Sequence, residues 1–391
     1  MSNSFYPEQR VLMGPGPSDV SPRVLGALGR PTIGHLDPQF IALMDDIKRL
    51  LQYAFQTNNP LTLPVSAPGS AGMEACFVNV VEPGDKVIIA QNGVFGGRMK
   101  ENVERCGATP IMVEDAWGDA ITVANVRTAF EKNTDAVALA FVHAETSTGV
   151  QSDAAALCAL AKEYGALTIV DTVTSVGGIP VAVDAWGADA VYSGTQKCLS
   201  CVPGISPVTF SATAIEKIQQ RKTKVQSWFL DMQLVMGYWG GESKRAYHHT
   251  APINALYALH ESLVMLEEEG LENAWARHER HHQALVAGLE KMGLSFIVDA
   301  EHRLPQLNLV AIPQGVDDAA LRGQLLERFG LEIGAGLGAF AGKAWRIGLM
   351  GHACTEKNVV LCLTALEQVL LQQGASINTG AVEAALTVYQ L

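Results

Sequence analysis

The sequence predicts a doubly wound α/β protein with a smaller second domain. Three observations carry this expectation. Apolar, β-branched runs alternate with stretches of helical periodicity through the middle of the chain. The strand-like runs are continuously apolar instead of alternating, as parallel strands covered on both faces are. Finally, 391 residues of 48% apolar composition are more than one ordinary core accommodates.

The elements follow in chain order. Residues 1–20 hold Gly14-Pro15-Gly16-Pro17 and are expected to cross the surface between the domains. Strand candidates come next at Lys86–Ala90, Ala136–Val142, Leu167–Val170 and Ala190–Tyr192, each carrying the β-branched or bulky apolar residues that strands favour. Helical spacing between them is clearest over Asp153–Gly165, where Asp153 can cap the start and Gly165 the end. After about residue 255 the pattern changes, and Ile253–Met292 reads as a long helical stretch interrupted at Gly270. It leads into a smaller α+β portion with strand candidates Gln306–Ile312 and Ala344–Leu349 and a helix at 355–373. The expected division is an N-terminal segment 1–20, a large domain 21–270 and a small domain 271–391.

Charge and cysteine usage narrow the function classes. Twenty-eight Lys and Arg against 40 Asp and Glu give a net charge of −12, with no basic stripe. Nucleic acid and anionic membrane surfaces are therefore not expected partners. Met1–Glu8 lacks the basic and apolar regions of a signal peptide, and no long apolar run occurs, so a soluble cytoplasmic protein is expected. Seven scattered cysteines, an odd number, fit reduced buried thiols better than a disulfide framework. Cys198 and Cys201 have CxxC spacing, but zinc needs a second ligand pair that the other cysteines do not form, and no metal is expected.

In α/β proteins ligands sit beyond the carboxyl ends of the strands. Four such ends carry informative residues: Gln91–Gly96, His143–Gly149, Asp171–Ser175 and Ser193–Lys197. An aromatic, a hydroxyl-rich turn, a carboxylate and a lysine are thus expected in one crevice. A lysine among small polar residues, with a carboxylate at the end of an earlier strand, is what pyridoxal phosphate requires. The lysine amine forms the Schiff base, and the carboxylate keeps the pyridine nitrogen protonated so that the ring draws electrons. The phosphate needs backbone N–H groups at a helix N-terminus plus hydroxyls, which Pro68–Ala75 can supply, with Gln196 in the other loop.

Asp171–Gly178 and Ser193–Lys197 resemble the class V aminotransferases of pyridoxal-phosphate fold type I, and most closely their alanine-glyoxylate and serine-glyoxylate branch. The resemblance covers nearly the whole chain, with Gly14–Ser18, Glu145–Val150, Tyr247–Thr250 and Trp345–Gly351 in the same order. It implies that Lys197 is the Schiff-base lysine and the proton-transfer base, and that Asp171 pairs with the pyridine nitrogen. Phe95 would stack on the ring where relatives carry Trp, His or Tyr, and Thr146 would meet the ring hydroxyl region. Gly69, Ser70 and Gln196 would hold the phosphate, with Ala71 and Thr174 also counted among the cofactor contacts. Tyr247 and Thr250 would reach the phosphate of the neighbouring subunit, which implies a homodimer with shared active sites. Arg346 would fork onto the substrate carboxylate, a task that guanidinium geometry suits better than an ammonium.

Each assignment has a plainer rival. Phe95 could be core packing, and Arg346 could sit in a structural ion pair. His278, His281 and His282 share helical spacing that could suit a metal, but charged neighbours favour a solvated helix surface. Gly334–Gly338 and Gly342-Lys343 fail both the dinucleotide fingerprint and the P-loop spacing, and read instead as a mobile wall on the substrate side.

Within the family, lyase chemistry comes second. Cysteine desulfurases need a reactive cysteine on the small-domain loop, and 330–343 has none. The acceptor implied by the resemblance is glyoxylate. Alanine, serine and the purine-breakdown intermediate (S)-ureidoglycine are the donors used in this branch. Asn254, four residues past Thr250, could bind a ureido group or could cap the following helix. His35 and Gln39 could add polar contacts from the N-terminal segment, and ureidoglycine is the expected donor. A non-catalytic binding protein of the same fold, and an oxidoreductase lacking a glycine fingerprint, are the readings from other classes.

Overall fold

A computed structural model describes residues 4–239 and 245–390. Seven strands form the large sheet: β1 (Leu61–Val65), β2 (Lys86–Gln91), β3 (Thr109–Glu114), β4 (Ala136–Val142), β5 (Leu167–Asp171), β6 (Ala190–Tyr192) and β7 (Ser206–Phe210). Their order is β1-β7-β6-β5-β4-β2-β3. All pairs are parallel except those of β7, which runs against β1 and β6. The inner strands are apolar throughout because helices cover both faces, among them α1 (Gly69–Val80) and α2 (Val94–Arg105).

Three strands of this sheet escaped the sequence reading, and each contains a proline: Pro64 in β1, Pro110 in β3 and Pro207 in β7. Proline donates no ladder hydrogen bond, so it reads as a strand breaker. Here β1 and β3 are edge strands, and Pro207 stands directly opposite Pro64, so neither lost donor faces a waiting partner at that pair.

The long helical stretch is two helices, α3 (Ile253–Glu269) and α4 (Leu271–Met292), separated at Gly270, whose φ of +83° suits glycine. Leu271 and Ala274 of α4 belong to the core around the large sheet, whereas Ala284, Leu285, Leu289 and Met292 belong to a second core. That core lies against an antiparallel sheet of order β8-β10-β9, made of β8 (Leu307–Ala311), β9 (Gly334–Ala335) and β10 (Ala344–Gly348).

The N-terminal segment joins both. Val11–Leu12 pairs in parallel with Leu331–Glu332, and Met13 packs in the second core. A few residues on, the Ser18 amide donates to Gln196 O at 2.8 Å and its hydroxyl to Lys197 O at 2.7 Å.

Two expectations change. His278 and His282 are buried, not on a solvated face. His278 bridges Ala274 O (2.6 Å) and the Gly351 amide (3.0 Å), and His282 bonds Asn308 Oδ1 at 2.8 Å. Of the charged neighbours that suggested solvent, Glu279 and Arg280 are exposed while Arg277 turns inward to Gly351 O, and burial pushes His278 down to about 4, so it is neutral. The glycine-rich stretch 334–342 is partly strand β9 and a 3-10 turn at Gly338–Phe340, ordered by pairing with β10. Among the described residues no group of His, Cys, Asp and Glu is placed to hold a metal, and no helix is long and apolar enough to cross a membrane.

Candidate functional site

The carboxyl ends of β4, β5 and β6 stop in one row, because Val142 pairs with Asp171 and Asp171 with Tyr192. Beyond that row lies a cavity of about 220 Å³ whose wall includes Phe95, Thr146, Asp171, Gln196 and Lys197. Gly69 and Ser70 close it from the start of α1. Seven of the predicted site residues therefore meet at the strand ends.

Lys197 follows β6, and its amine donates to the carbonyl of Pro15. Burial pushes the ammonium down to about 8, and the positive charges of Arg346 and Arg98 push the same way, against Cys198 and Asp171. A lysine of this kind holds a useful fraction of neutral, nucleophilic amine near physiological pH. Gly16 faces it closely. A Cβ there would run into the lysine Nζ, and its φ of +108° suits glycine alone.

Asp171 ends β5 with both oxygens engaged: Oδ1 accepts from the Val173 amide at 2.8 Å and Oδ2 from the Tyr192 hydroxyl at 2.7 Å. Burial raises the carboxyl to about 6, and these two donors, with Lys197 and Arg98, keep it from rising further. It is ionised at neutral pH and aimed into a cavity that holds an amine.

At the other end, α1 starts at Gly69 with Pro68 at its N-cap and no side-chain cap. Its first-turn amides are a ready anion site. Gln196 has a buried side-chain oxygen without a partner among the described residues, and a flip of that amide turns an N–H toward the same space. Ala71 is differently used, since its amide donates to Pro68 O at 2.7 Å. Thr174 is buried with an unpartnered hydroxyl and is not on the cavity wall. Uncapped amides and an amide side chain at one end, a carboxylate deeper in and a low-affinity amine between them fit a phosphate-bearing pyridine aldehyde.

Arg346 comes from β10. Its Nε donates to Ala335 O at 2.8 Å and its Nη1 to Thr146 O at 3.3 Å, which brings it to the cavity rim. Among the described residues it has no ion pair, so the rival reading is not what the structure holds. Burial lowers its proton affinity while the nearby charge of Glu145 opposes this. Two carbonyls fix the fork and leave donors for a carboxylate.

Eight predicted residues are not on this cavity's wall in the single chain: Ala71, Thr174 and Arg346, already placed above, and His35, Gln39, Tyr247, Thr250 and Asn254. Tyr247 and Thr250 share a hydrogen bond of 3.3 Å, and the His35 ring lies 5.1 Å from that of Tyr247. Asn254 is not a helix cap, since Pro252 holds that place. Its amide donates to Leu28 O and Arg30 O, both at 2.8 Å, and accepts from Thr32 at 2.6 Å, fastening residues 28–32 to α3.

Two wall residues were missed. Tyr192 was read only as a strand residue, although its place beside Asp171 follows from the parallel register. Arg98 lies one turn beyond Phe95 on α2, with its guanidinium 4.7 Å from that ring's centre. The i, i+3 spacing was the available signal.

Three comparisons bear on this geometry. The family described as aminotransferase class V matches residues 21–359. An alanine–glyoxylate aminotransferase of Callithrix jacchus is 41% identical over 92% of this chain and 87% of its own. The crystal structure of a ureidoglycine–glyoxylate aminotransferase from Bacillus subtilis superposes with a TM-score of 0.97 at 38% identity, covering 100% of both chains. That of an alanine–glyoxylate aminotransferase from Nostoc sp. gives 0.92 at 49% identity, covering 95% of this chain and 97% of that one.

Proposed function

The chain belongs to the class V aminotransferases, and from that premise we propose a pyridoxal-phosphate enzyme that transfers an amino group to glyoxylate, with (S)-ureidoglycine as the donor. The observation that carries the chemistry is Lys197 and Asp171 on one cavity wall, with the Arg346 guanidinium bonded to the carbonyl of Thr146 on that same wall. When bound, the cofactor supplies an electron sink for the substrate's α-carbon.

The chain's own residues do the rest. Asp171 would hold the proton on the ring nitrogen, because its carboxylate is ionised and fixed by two donors. Lys197, neutral in part near pH 8, would form the Schiff base with the cofactor and serve as the base for the substrate's α-proton. Arg346 binds the carboxylate that donor and acceptor share. The amides of Gly69 and Ser70 with Gln196 would hold the phosphate, and Phe95 on the cavity wall would shield the ring from water.

The B. subtilis relative, 38% identical over 97% of this chain, supports ureidoglycine and with it a place in purine breakdown. The 49% identity to the Nostoc enzyme favours alanine as the second reading. Steady-state rates with glyoxylate and each donor decide between them. Ureidoglycine is expected to exceed alanine and serine by at least about tenfold in kcat/KM, a ratio that one set of polar contacts supplies. Turnover of alanine or serine without ureidoglycine would sink the choice.

We further propose a homodimer with shared sites. Tyr247, Trp228 and Leu36 are large and exposed; Tyr247 bonds Thr250 and lies against His35, and Trp228 stacks on His248, apolar surface that a second copy would cover. Seven buried, unpaired thiols support a reducing, cytoplasmic setting.

A further inference from the structure

The turn after β4 does more than line the cavity. Helix α2 begins at Val94, and its N-cap Gly93 has no side chain to satisfy the first amides. The missing cap comes from 145–147. Ser147 Oγ accepts from the Val94 amide at 3.0 Å, and Glu145 Oε2 from the Phe95 amide at 3.2 Å. Glu145 Oε1 accepts from the Ser147 amide at 2.9 Å and from its hydroxyl at 2.6 Å.

Both side chains are fully buried. Burial raises the Glu145 carboxyl to about 7, and its three donors beside a helix N-terminus, where negative charge is favoured, keep it from rising further. The fit is tight enough that a Cβ on residue 93 would run into both Glu145 and Ser147. The residue between them, Thr146, stands on the cavity wall with Phe95, and its carbonyl accepts from Arg346 Nη1. One three-residue turn thus touches the aromatic, the wall and the guanidinium.

We infer that Glu145 and Ser147 are positioning residues: they cap α2 from another segment and thereby set Phe95 over the cofactor ring and Arg346 at the rim. The inference rests on the pyridoxal-phosphate reading above. Neither side chain touches the reacting atoms, so both act through Phe95 and Thr146.

The test begins with wild-type protein titrated with pyridoxal phosphate. Absence of any visible band there removes the cofactor reading itself, whatever the variants do. Given uptake, Ser147→Ala and Glu145→Gln are compared with it. The glutamine keeps the size and one acceptor but loses the other. Each is expected to raise the cofactor dissociation constant by about fivefold, the change that losing a helix cap corresponds to. The visible circular dichroism of the bound cofactor should weaken, and KM for glyoxylate should rise as Arg346 loosens. Ser147→Thr, which keeps the hydroxyl, should restore all three.

Variants that melt earlier yet keep the wild-type dissociation constant and visible circular dichroism would overturn the proposal, leaving a purely structural cap. Ser147→Ala removes one hydroxyl and no charge, so it decides the matter alone if Glu145→Gln fails to fold.

Discussion

At Lys197 the amine sits where a positive charge is poorly solvated, and the direction of its shift sets a pH dependence. Its folded value lies below that of an exposed lysine, so the neutral amine accumulates as pH rises through about 8. We expect capture of pyridoxal phosphate by cofactor-free protein, followed by the visible band in stopped flow, to speed up to that pH and then level off. A midpoint near that of an exposed lysine would contradict the burial argument. Asp171 works in the opposite sense. Raised to about 6, it takes up a proton as pH falls through that value, and cofactor affinity should fall with it. Arg346→Lys replaces a fork held by two carbonyls with a single point charge. A drop of roughly tenfold to a hundredfold in kcat/KM is expected, chiefly in KM, as the loss of one charged hydrogen bond gives. Lys197 and Asp171 were legible in sequence because each follows a continuous apolar strand. Tyr192 and Arg98 were not, since a tyrosine in a strand and an arginine on a helix carry no distinctive pattern until register and helical phase bring them to the cavity.

The elements show where pattern reading works. The four parallel inner strands were found because full burial writes itself as an unbroken apolar run. The proline-bearing strands were invisible for the opposite reason, their partners tolerating a missing donor. Asn254 shows a subtler limit, for its amide is spent on backbone carbonyls more than 220 positions earlier in the chain. No local spacing announces such a contact. The approach of the N-terminal segment to Lys197 gives an element-scale prediction. Gly16→Ala should cost roughly 1–2 kcal/mol in stability from its positive φ, read as a lower Tm. Because the colliding atom is the mobile end of a lysine, the larger effect should be slow or absent cofactor capture in protein that remains folded.

At the scale of the molecule, the residues that fell outside the cavity make a coherent prediction. If Tyr247 and Thr250 serve the other subunit, Lys197→Ala and a Tyr247→Ala/Thr250→Ala variant should each be nearly inactive alone. Co-expressed, they should recover about a quarter of wild-type activity, because half of the dimers are mixed and each mixed dimer holds one intact site. No recovery would place those side chains in their own subunit's chemistry. The net charge of −12 is no obstacle to anionic ligands, since Lys197, Arg98 and Arg346 stand close enough to influence one another's protonation or that of Asp171.

The short run from Val11 to Ser18 is anchored at both ends, to Leu331–Glu332 beside the second core and to the loop of Lys197. A stretch so fastened behaves as a drawstring. Any shift of the three-stranded sheet that carries Arg346, with its neighbours Leu331–Glu332, would pull on the backbone of Lys197 or break one of the anchors. A displacement at Arg346 would thereby reach the Lys197 amine by two routes, across the cavity and along the backbone.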